Sequence, residues 1–263
     1  MLKLHSSAVL LLCLAAAPAC RAQWAGHSED PENFHIEVTG EAWLVDTGGQ
    51  IQASGAPINL VNDLNAEQGR GTFYGQLVFK PARKHRIVIE GTPFSVNGLN
   101  SVTRSIVYRG QTFNVSQTVR SSASLDYAFL GYQYDVLSAP RGHLGFSVGA
   151  AYLGASGFLQ AVETNTSASK TQQLVLPLAG TDFRIFPLPG RKVFEIEGGI
   201  RGMTFGDYGY FAEATGSGGV VLGPITLLAG YRALNTDIHV TSNGGSGVTA
   251  RLHGPIFSAR FRW

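Results

Sequence analysis

Hydrophobic and polar side chains alternate with a period of two along most of the chain after residue 33. Such alternation is typical of β-strands whose two faces meet different surroundings. The C-terminal segment shows it best, because one face is apolar and the other carries a serine and two arginines. The apolar face holds Phe257, Ala259, Phe261 and Trp263, and the polar face holds Ser258, Arg260 and Arg262.

The same alternation predicts ten strands joined by connections of two kinds. The strands are expected at about 34–44, 72–80, 86–90, 124–134, 144–152, 173–186, 194–201, 210–221, 226–234 and 247–263. Short turns are expected near 81–84, 136–142, 187–190 and 222–225, and longer polar links near 46–69, 95–121, 157–172 and 235–246. This alternation of lengths is typical of periplasmic turns and extracellular loops. We expect the segment 104–119 to form a hairpin that rises above the membrane.

Composition supports a barrel that crosses a membrane. Charged residues make up 14% of the chain, below the roughly 25% of soluble domains. After the N-terminal region no segment approaches 18 consecutive apolar residues, so no transmembrane helix is expected. The sequence therefore predicts an all-β fold, an antiparallel transmembrane β-barrel over residues 33–263, with ten strands and with eight as the alternative.

The N-terminus has the features of a cleaved secretory signal peptide over residues 1–22. Lys3 precedes a short apolar stretch at 8–17, and cleavage is expected after Ala22. Lipoprotein-type cleavage at Cys20 is the alternative. Residues 23–32 are then a short periplasmic segment that leads into the barrel.

Removal of this leader changes the chemistry of the chain. Both cysteines, Cys13 and Cys20, leave with it, so the mature chain has no thiol and no disulfide. Lys3 and Arg21 also leave, so the 20 basic residues fall to 18 and equal the 18 acidic residues. This balance gives no reason to expect a nucleic-acid partner.

Together these features resemble the small, porin-like outer-membrane β-barrel proteins of Gram-negative bacteria. The resemblance rests on the leader, the alternating strands and the terminal Phe261-Arg262-Trp263. It implies an outer-membrane location, contact with the membrane lipids, and recognition by the barrel-assembly machinery, with Phe261 and Trp263 as the assembly signal. The segment Ile58–Leu64 also resembles an acidic, leucine-containing first loop of some barrels of unknown function.

The alternation places seven basic and seven acidic side chains on the inner face of the barrel. Isolated charges in a dry lumen are costly, and pairing removes much of that cost. We therefore expect ion pairs that fill the lumen; a charge-lined, ion-selective channel is the competing interpretation. The basic set is Lys80, Arg86, Arg184, Arg201, Arg232, Arg260 and Arg262, and the acidic set is Glu37, Glu41, Glu90, Asp182, Glu195, Glu197 and Glu213.

Catalytic chemistry has weaker support. Asp207, Asp237 and His239 are expected near the extracellular rim, where an acid and a histidine suit a surface hydrolase or a lipid A-modifying enzyme. However, no nucleophile stands at a recognisable spacing, and no histidine pair has metal-ligand spacing, so neither a metal nor another cofactor is expected. The sequence favours a non-enzymatic outer-membrane protein with a structural, small-solute or loop-binding role.

Overall fold

The computed structural model describes residues 30–53, 56–188, 192–240 and 246–263. The predicted signal peptide and most of the predicted periplasmic segment lie outside these residues. The described chain is almost entirely β-strand, with one short 3-10 turn at Gly206–Tyr208. Within that chain no helix is long and apolar enough to cross a membrane.

The strands are numbered in chain order. They are β1 (Ile36–Ala53), β2 (Ile58–Asn59), β3 (Arg70–Ala82), β4 (His85–Ser101), β5 (Ile106–Tyr108), β6 (Gln111–Phe113), β7 (Thr118–Ala139), β8 (Gly142–Ala161), β9 (Ser167–Ile185), β10 (Phe194–Thr204), β11 (Gly209–Leu222), β12 (Ile225–Val240) and β13 (Ser246–Arg262).

Ten of these strands form a closed antiparallel barrel. They pair in the order β13, β12, β11, β10, β9, β8, β7, β4, β3 and β1, and β1 pairs with β13 to close the ring. The short strand β2 adds to β1, and β5 and β6 form a separate hairpin. The prediction of an antiparallel ten-stranded barrel is confirmed, and the eight-stranded alternative is wrong.

The two ends of the chain close the barrel together. The backbone N–H groups of His35 and Ile36 both donate to the carbonyl oxygen of Trp263, at 2.9 and 3.0 Å. The N–H of Trp263 donates in return to the carbonyl oxygen of Ile36 at 3.0 Å. This end of the barrel also carries the short connections, and we call it the turn end; the opposite end is the loop end.

Apolar side chains point outward along the strands and form a belt for lipid. The belt ends toward the loop end where Asp46, Asp126 and Arg251 take the exposed positions. Beyond them several strands continue out of the belt. Members of the belt include Val38, Phe79, Ile89, Leu130, Phe146, Phe183, Ile196, Leu227 and Phe257.

The wall is uneven in height at the loop end. Strand β9 has 19 residues, whereas β10 has 11 and pairs with β9 only from Ala179 toward the turn end. Residues 167–178 of β9 therefore pair on the β8 side alone among the described residues. Pro177 lies in this stretch, in agreement with the restriction of proline to strand edges.

The interior changes character along the barrel axis. Toward the turn end it is charged, whereas toward the loop end it is an apolar core, which we call the apolar lobe. The expectation that ion pairs fill the whole lumen is therefore wrong for the loop end. The lobe is built from side chains that include Val45, Leu60, Phe94, Val96, Tyr108, Phe113, Leu125, Leu153 and Leu252.

The hairpin expected at 104–119 is present as β5 and β6, but it does not rise above the barrel. Its side chains Ile106, Tyr108 and Phe113 are almost fully buried in the apolar lobe. Tyr108 also reaches the carbonyl oxygen of Gly157 on β8, at 3.3 Å. The hairpin folds inward because three of its six strand positions carry large apolar side chains on one face, and burial of these side chains is favourable.

Candidate functional site

The structure places all fourteen predicted lumen charges on the inner face; thirteen lie within 4 Å of an opposite charge, and Asp182 lies 3.0 Å from His143. They separate into two groups. The lower cluster, nearest the turn end, contains Glu37, Lys80, Arg86, Asp182, Arg184, Glu195, Glu197, Arg260 and Arg262. The upper cluster contains Glu41, Glu90, Arg201, Glu213 and Arg232.

Arg184 lies at the centre of the lower cluster. It donates to Glu37 on β1 and lies 3.1 Å from Glu195 and 3.3 Å from Glu197 on β10. Glu197 is its direct cross-strand partner in the register of β9 and β10. The guanidinium thus links strands on opposite sides of the lumen.

Two arginines of the C-terminal strand complete this cluster. Arg262 lies 2.7 Å from Glu37 and 2.7 Å from Glu195. Arg260 donates to Glu197 at 2.7 Å and also to Glu195. Because Glu37, Glu195 and Glu197 are each shared by two or three guanidiniums, these groups form one network and not a set of separate pairs.

Sequence reasoning missed Glu32, which precedes the first strand yet lies inside the barrel with its side chain only 4% exposed. Arg86 lies 2.8 Å and Arg184 3.3 Å from its carboxylate, and the Lys80 ammonium donates to its carbonyl oxygen at 2.8 Å. Burial opposes the charged form, but Arg184, His143 and Arg86 outweigh it and hold the pKa of Glu32 well below its usual range. The N-terminal segment therefore plugs the turn end.

Phe34 belongs to the same plug. It stands where the first strand was predicted to begin, yet its ring is buried in the lumen. Lys80 lies 4.9 Å and Arg86 5.5 Å from the ring centroid, within the range of cation–π attraction. The aromatic face thus gives two cations of the lower cluster a second favourable contact.

Asp135 and His143 were also missed, because β7 and β8 run further toward the turn end than predicted. Asp135 is fully buried and accepts a 2.8 Å hydrogen bond from Arg86 Nε. The ring nitrogens of His143 lie 3.0 Å from Asp182 and 3.3 Å from Glu32. The period of two could have identified Asp135, because it lies on the same inward face of β7 as Gln133 and Phe129.

The upper cluster pairs two arginines with three glutamates over aromatic rings. Arg232 donates to Glu41 at 2.9 Å and to Glu213, and it stacks 3.7 Å from the ring centre of Tyr74. Arg201 pairs with Glu90 and stacks 3.8 Å from the ring centre of Phe129. Large rings and paired charges together occupy the cross-section here.

A polar cavity of about 120 Å³ lies between the two clusters. Its walls include Arg86 and Glu197 from the lower cluster and Glu90 and Arg232 from the upper one. Space of this size and polarity corresponds to about eight to twelve water molecules. The upper cluster lines it toward the apolar lobe and the lower cluster lines it toward the turn end.

The acid–histidine grouping predicted at the rim is only partly assembled. The turn that carries Asp207 lies against β12, the strand that carries Asp237 and His239. Asp237 accepts a 3.0 Å hydrogen bond from Thr249, and the side chain of His239 lies outside the described part of the chain. Across the described residues, no three His, Cys, Asp or Glu side chains are placed to hold a metal ion.

An ion pair organises the first loop. Arg104 donates to Asp63 at 3.1 and 2.6 Å, and these hydrogen bonds are the main reason that the pKa of Asp63 is lowered. Ile58 and Leu64, at the ends of the predicted first-loop segment, are buried in the apolar lobe. The loop is thus part of the core and not a free surface segment.

Comparison with known proteins identifies the class of fold. No family model matches the sequence, and no curated protein is significantly similar to it. Among solved structures, the outer-membrane protease OmpT from Escherichia coli matches with 10% identity and a TM-score of 0.54, over 87% of this chain and 97% of that chain.

Two further matches have lower scores. The translocator domain of the autotransporter NalP from Neisseria meningitidis has 11% identity and a TM-score of 0.48, with full coverage of both chains. The outer-membrane protein OprG from Pseudomonas aeruginosa has 9% identity and a TM-score of 0.40, over 88% of this chain and 97% of that one. These identities bear on the fold alone. The chain has the fold of a closed antiparallel β-barrel, as OmpT does.

Proposed function

We propose that this protein is a sealed, non-conducting and non-enzymatic outer-membrane barrel that serves as a rigid support for an extracellular binding lobe. The observation that carries the proposal is the pair of charged clusters across the lumen. In the usual orientation of such barrels the turn end faces the periplasm and the loop end faces the outside. The apolar lobe is then the part presented to the environment.

The energetics of the charged clusters support a closed lumen. Removing one partner of a buried ion pair typically costs about 3–5 kcal/mol, because the other charge is left uncompensated. A conducting path would separate several such contacts at once, since Arg184 alone contacts Glu37, Glu195 and Glu197. The Glu32 plug adds a further obstacle at the turn end.

The construction of the apolar lobe supports a binding role. The first loop and the β5–β6 hairpin both anchor large side chains in its core, among them Leu60 and Tyr108. Loops held on a rigid scaffold are the usual carriers of function in such folds. Strands β7, β8 and β9 extend beyond the lipid belt. A purely structural barrel does not need these extensions in order to span the membrane, whereas a binding lobe does.

Conductance in planar lipid bilayers tests the sealed lumen. The wild-type barrel is expected to give no stable single-channel steps. A sextuple variant with Glu37, Arg184, Glu195, Glu197, Arg260 and Arg262 changed to Ser removes three acids and three bases that pair with one another, so it opens space without changing the net charge. This variant is expected to conduct and shows that insertion is detected. Large, stable steps from the wild-type protein would reject the proposal.

A further inference from the structure

The apolar lobe contains a cavity of about 70 Å³ with mainly apolar walls. Leu60 and Tyr108 line it from the first loop and the hairpin, and barrel side chains line it from β1, β4, β7, β8, β9 and β13. Toward β10, β11 and β12 the lobe is packed with other side chains, namely Phe205, Phe211, Leu234 and Ile238.

One polar group in this cavity has no partner. The side chain of Thr47 lines the cavity, the residue is only 5% exposed, and its Oγ1 atom has no hydrogen-bond partner among the described residues. The Thr47 backbone is fixed by Gln68, whose amide accepts from the N–H and donates to the carbonyl oxygen, both at 2.9 Å. A buried hydroxyl without a partner is unfavourable, and a ligand atom placed beside it removes that cost.

The size and lining of the cavity define the occupant. A single water takes about 10–15 Å³ on this measure, so the space corresponds to roughly five waters and to a molecule of about five non-hydrogen atoms. The walls include Phe94, Val96, Leu125 and Leu252, which favour an apolar body. Thr47 Oγ1 can both donate and accept, so it suits a hydroxyl or a carbonyl group.

We propose that this cavity binds a small, largely apolar molecule with a single hydrogen-bonding group, which contacts Thr47 Oγ1. This inference rests on the proposed binding role of the lobe and names the class of its ligand. The apolar body supplies most of the affinity, and the contact with Thr47 supplies the preference for a polar head.

The test compares two fluorinated probes of about five non-hydrogen atoms that differ in one group, 3-fluoropropan-1-ol and 1-fluorobutane. Their binding is followed by ¹⁹F NMR with the barrel in lipid nanodiscs, and partition into empty nanodiscs is subtracted. The wild-type barrel is expected to bind the alcohol more tightly, by roughly three- to tenfold, as one hydrogen bond allows. In Thr47→Val, which keeps the shape and removes the hydroxyl, the two probes are expected to bind equally.

A cavity-filling variant shows where the probes bind. Ala155 lines the cavity, so Ala155→Phe is expected to abolish the binding of both probes. Heat-dependent gel mobility establishes that each variant is folded, and Ala123→Leu at the same cavity replaces Ala155→Phe if the latter does not fold. Absence of saturable binding to the wild type, or a preference for the alcohol that persists in Thr47→Val, overturns the inference. Conductance is measured separately from probe binding. A barrel that does not conduct and binds neither probe therefore rejects the ligand site but not the sealed lumen.

Discussion

Arg184 on β9 donates two parallel hydrogen bonds, each of 2.9 Å, to Glu37 on β1 from the opposite side of the lumen. Both side chains are almost fully buried. A guanidinium and a carboxylate in this forked arrangement form one of the strongest polar contacts available to a protein. The contact holds strands that share no backbone hydrogen bonds, so it fixes the cross-section of the barrel.

This contact predicts that Arg184→Met lowers the free energy of unfolding by about 3–5 kcal/mol, because Glu37 and its neighbours lose a shared cation. Arg184→Lys keeps the charge but not the fork, so it is expected to cost less. Urea titration of barrels folded into lipid vesicles measures both changes. Equal stability of the Met variant and the wild type would show that the network contributes nothing to folding.

The assignment of strand faces predicts that polar substitutions lower the stability of the barrel more at lipid-facing positions than at lumen-facing ones. Ile196 is exposed toward the lipid, where an arginine costs roughly 2–4 kcal/mol at the membrane centre. Ser217 points inward and donates to Glu197 at 3.1 Å, so Asn at this position retains a partner. The same urea titration should therefore rank Ile196→Arg well below Ser217→Asn in stability. The reverse order would mean that the two faces are exchanged.

The plug predicts that docking of the N-terminal segment weakens in acid. Because the pKa of folded Glu32 lies well below the value of 4.5 for a free glutamate, the contribution of the Glu32 carboxylate to docking is complete above about pH 4.5. That contribution is lost as the pH falls through the folded pKa. A fluorophore on Asn33→Cys, in a chain produced from residue 23 so that this cysteine is the only one, reports release as a fall in anisotropy. Glu32→Gln should be released at every pH, and a release of the wild-type segment between pH 5 and 7 would contradict the role of Glu32.

The last strand predicts an assembly defect. Phe261 and Trp263 lie in ring contact at 5.3 Å, and Trp263 closes the barrel through its backbone. Changing both to Ser is expected to reduce the amount of folded, heat-modifiable protein in the outer membrane. Changing Ser258 and Thr226, which face the lumen, to Ala is the matched control. If the double Ser variant reaches the wild-type level of folded protein, these two aromatic residues are not needed for assembly.

The alternation of side chains could predict the wall but not everything inside it. Glu195 and Glu197 alternate with Phe194 and Ile196, so their inward direction follows from the period of two. Glu32 lies outside every alternating segment, and its position depends on four cationic groups that come from distant parts of the chain. No local pattern encodes such convergence.

The apolar lobe was missed for a different reason. The inward face of β1 runs from Glu37 and Glu41 to Trp43 and Val45, so its chemistry changes while its period does not. The change shows that the interior becomes dry, but it does not show what fills the space. The filler is the β5–β6 hairpin, whose inward fold depends on contacts far along the chain.

The interior changes from charged to apolar at Trp43, so the two ends of the barrel should lose stability under different solution conditions. The apolar lobe resembles the core of a water-soluble domain, so urea and cold weaken it and excluded osmolytes strengthen it. The charged clusters respond instead to acid, which removes the charge of their carboxylates. Calorimetry should accordingly resolve two transitions, with a large heat-capacity increment for the first. After that first transition the barrel would remain inserted with its outer rim melted, as an anchored intermediate.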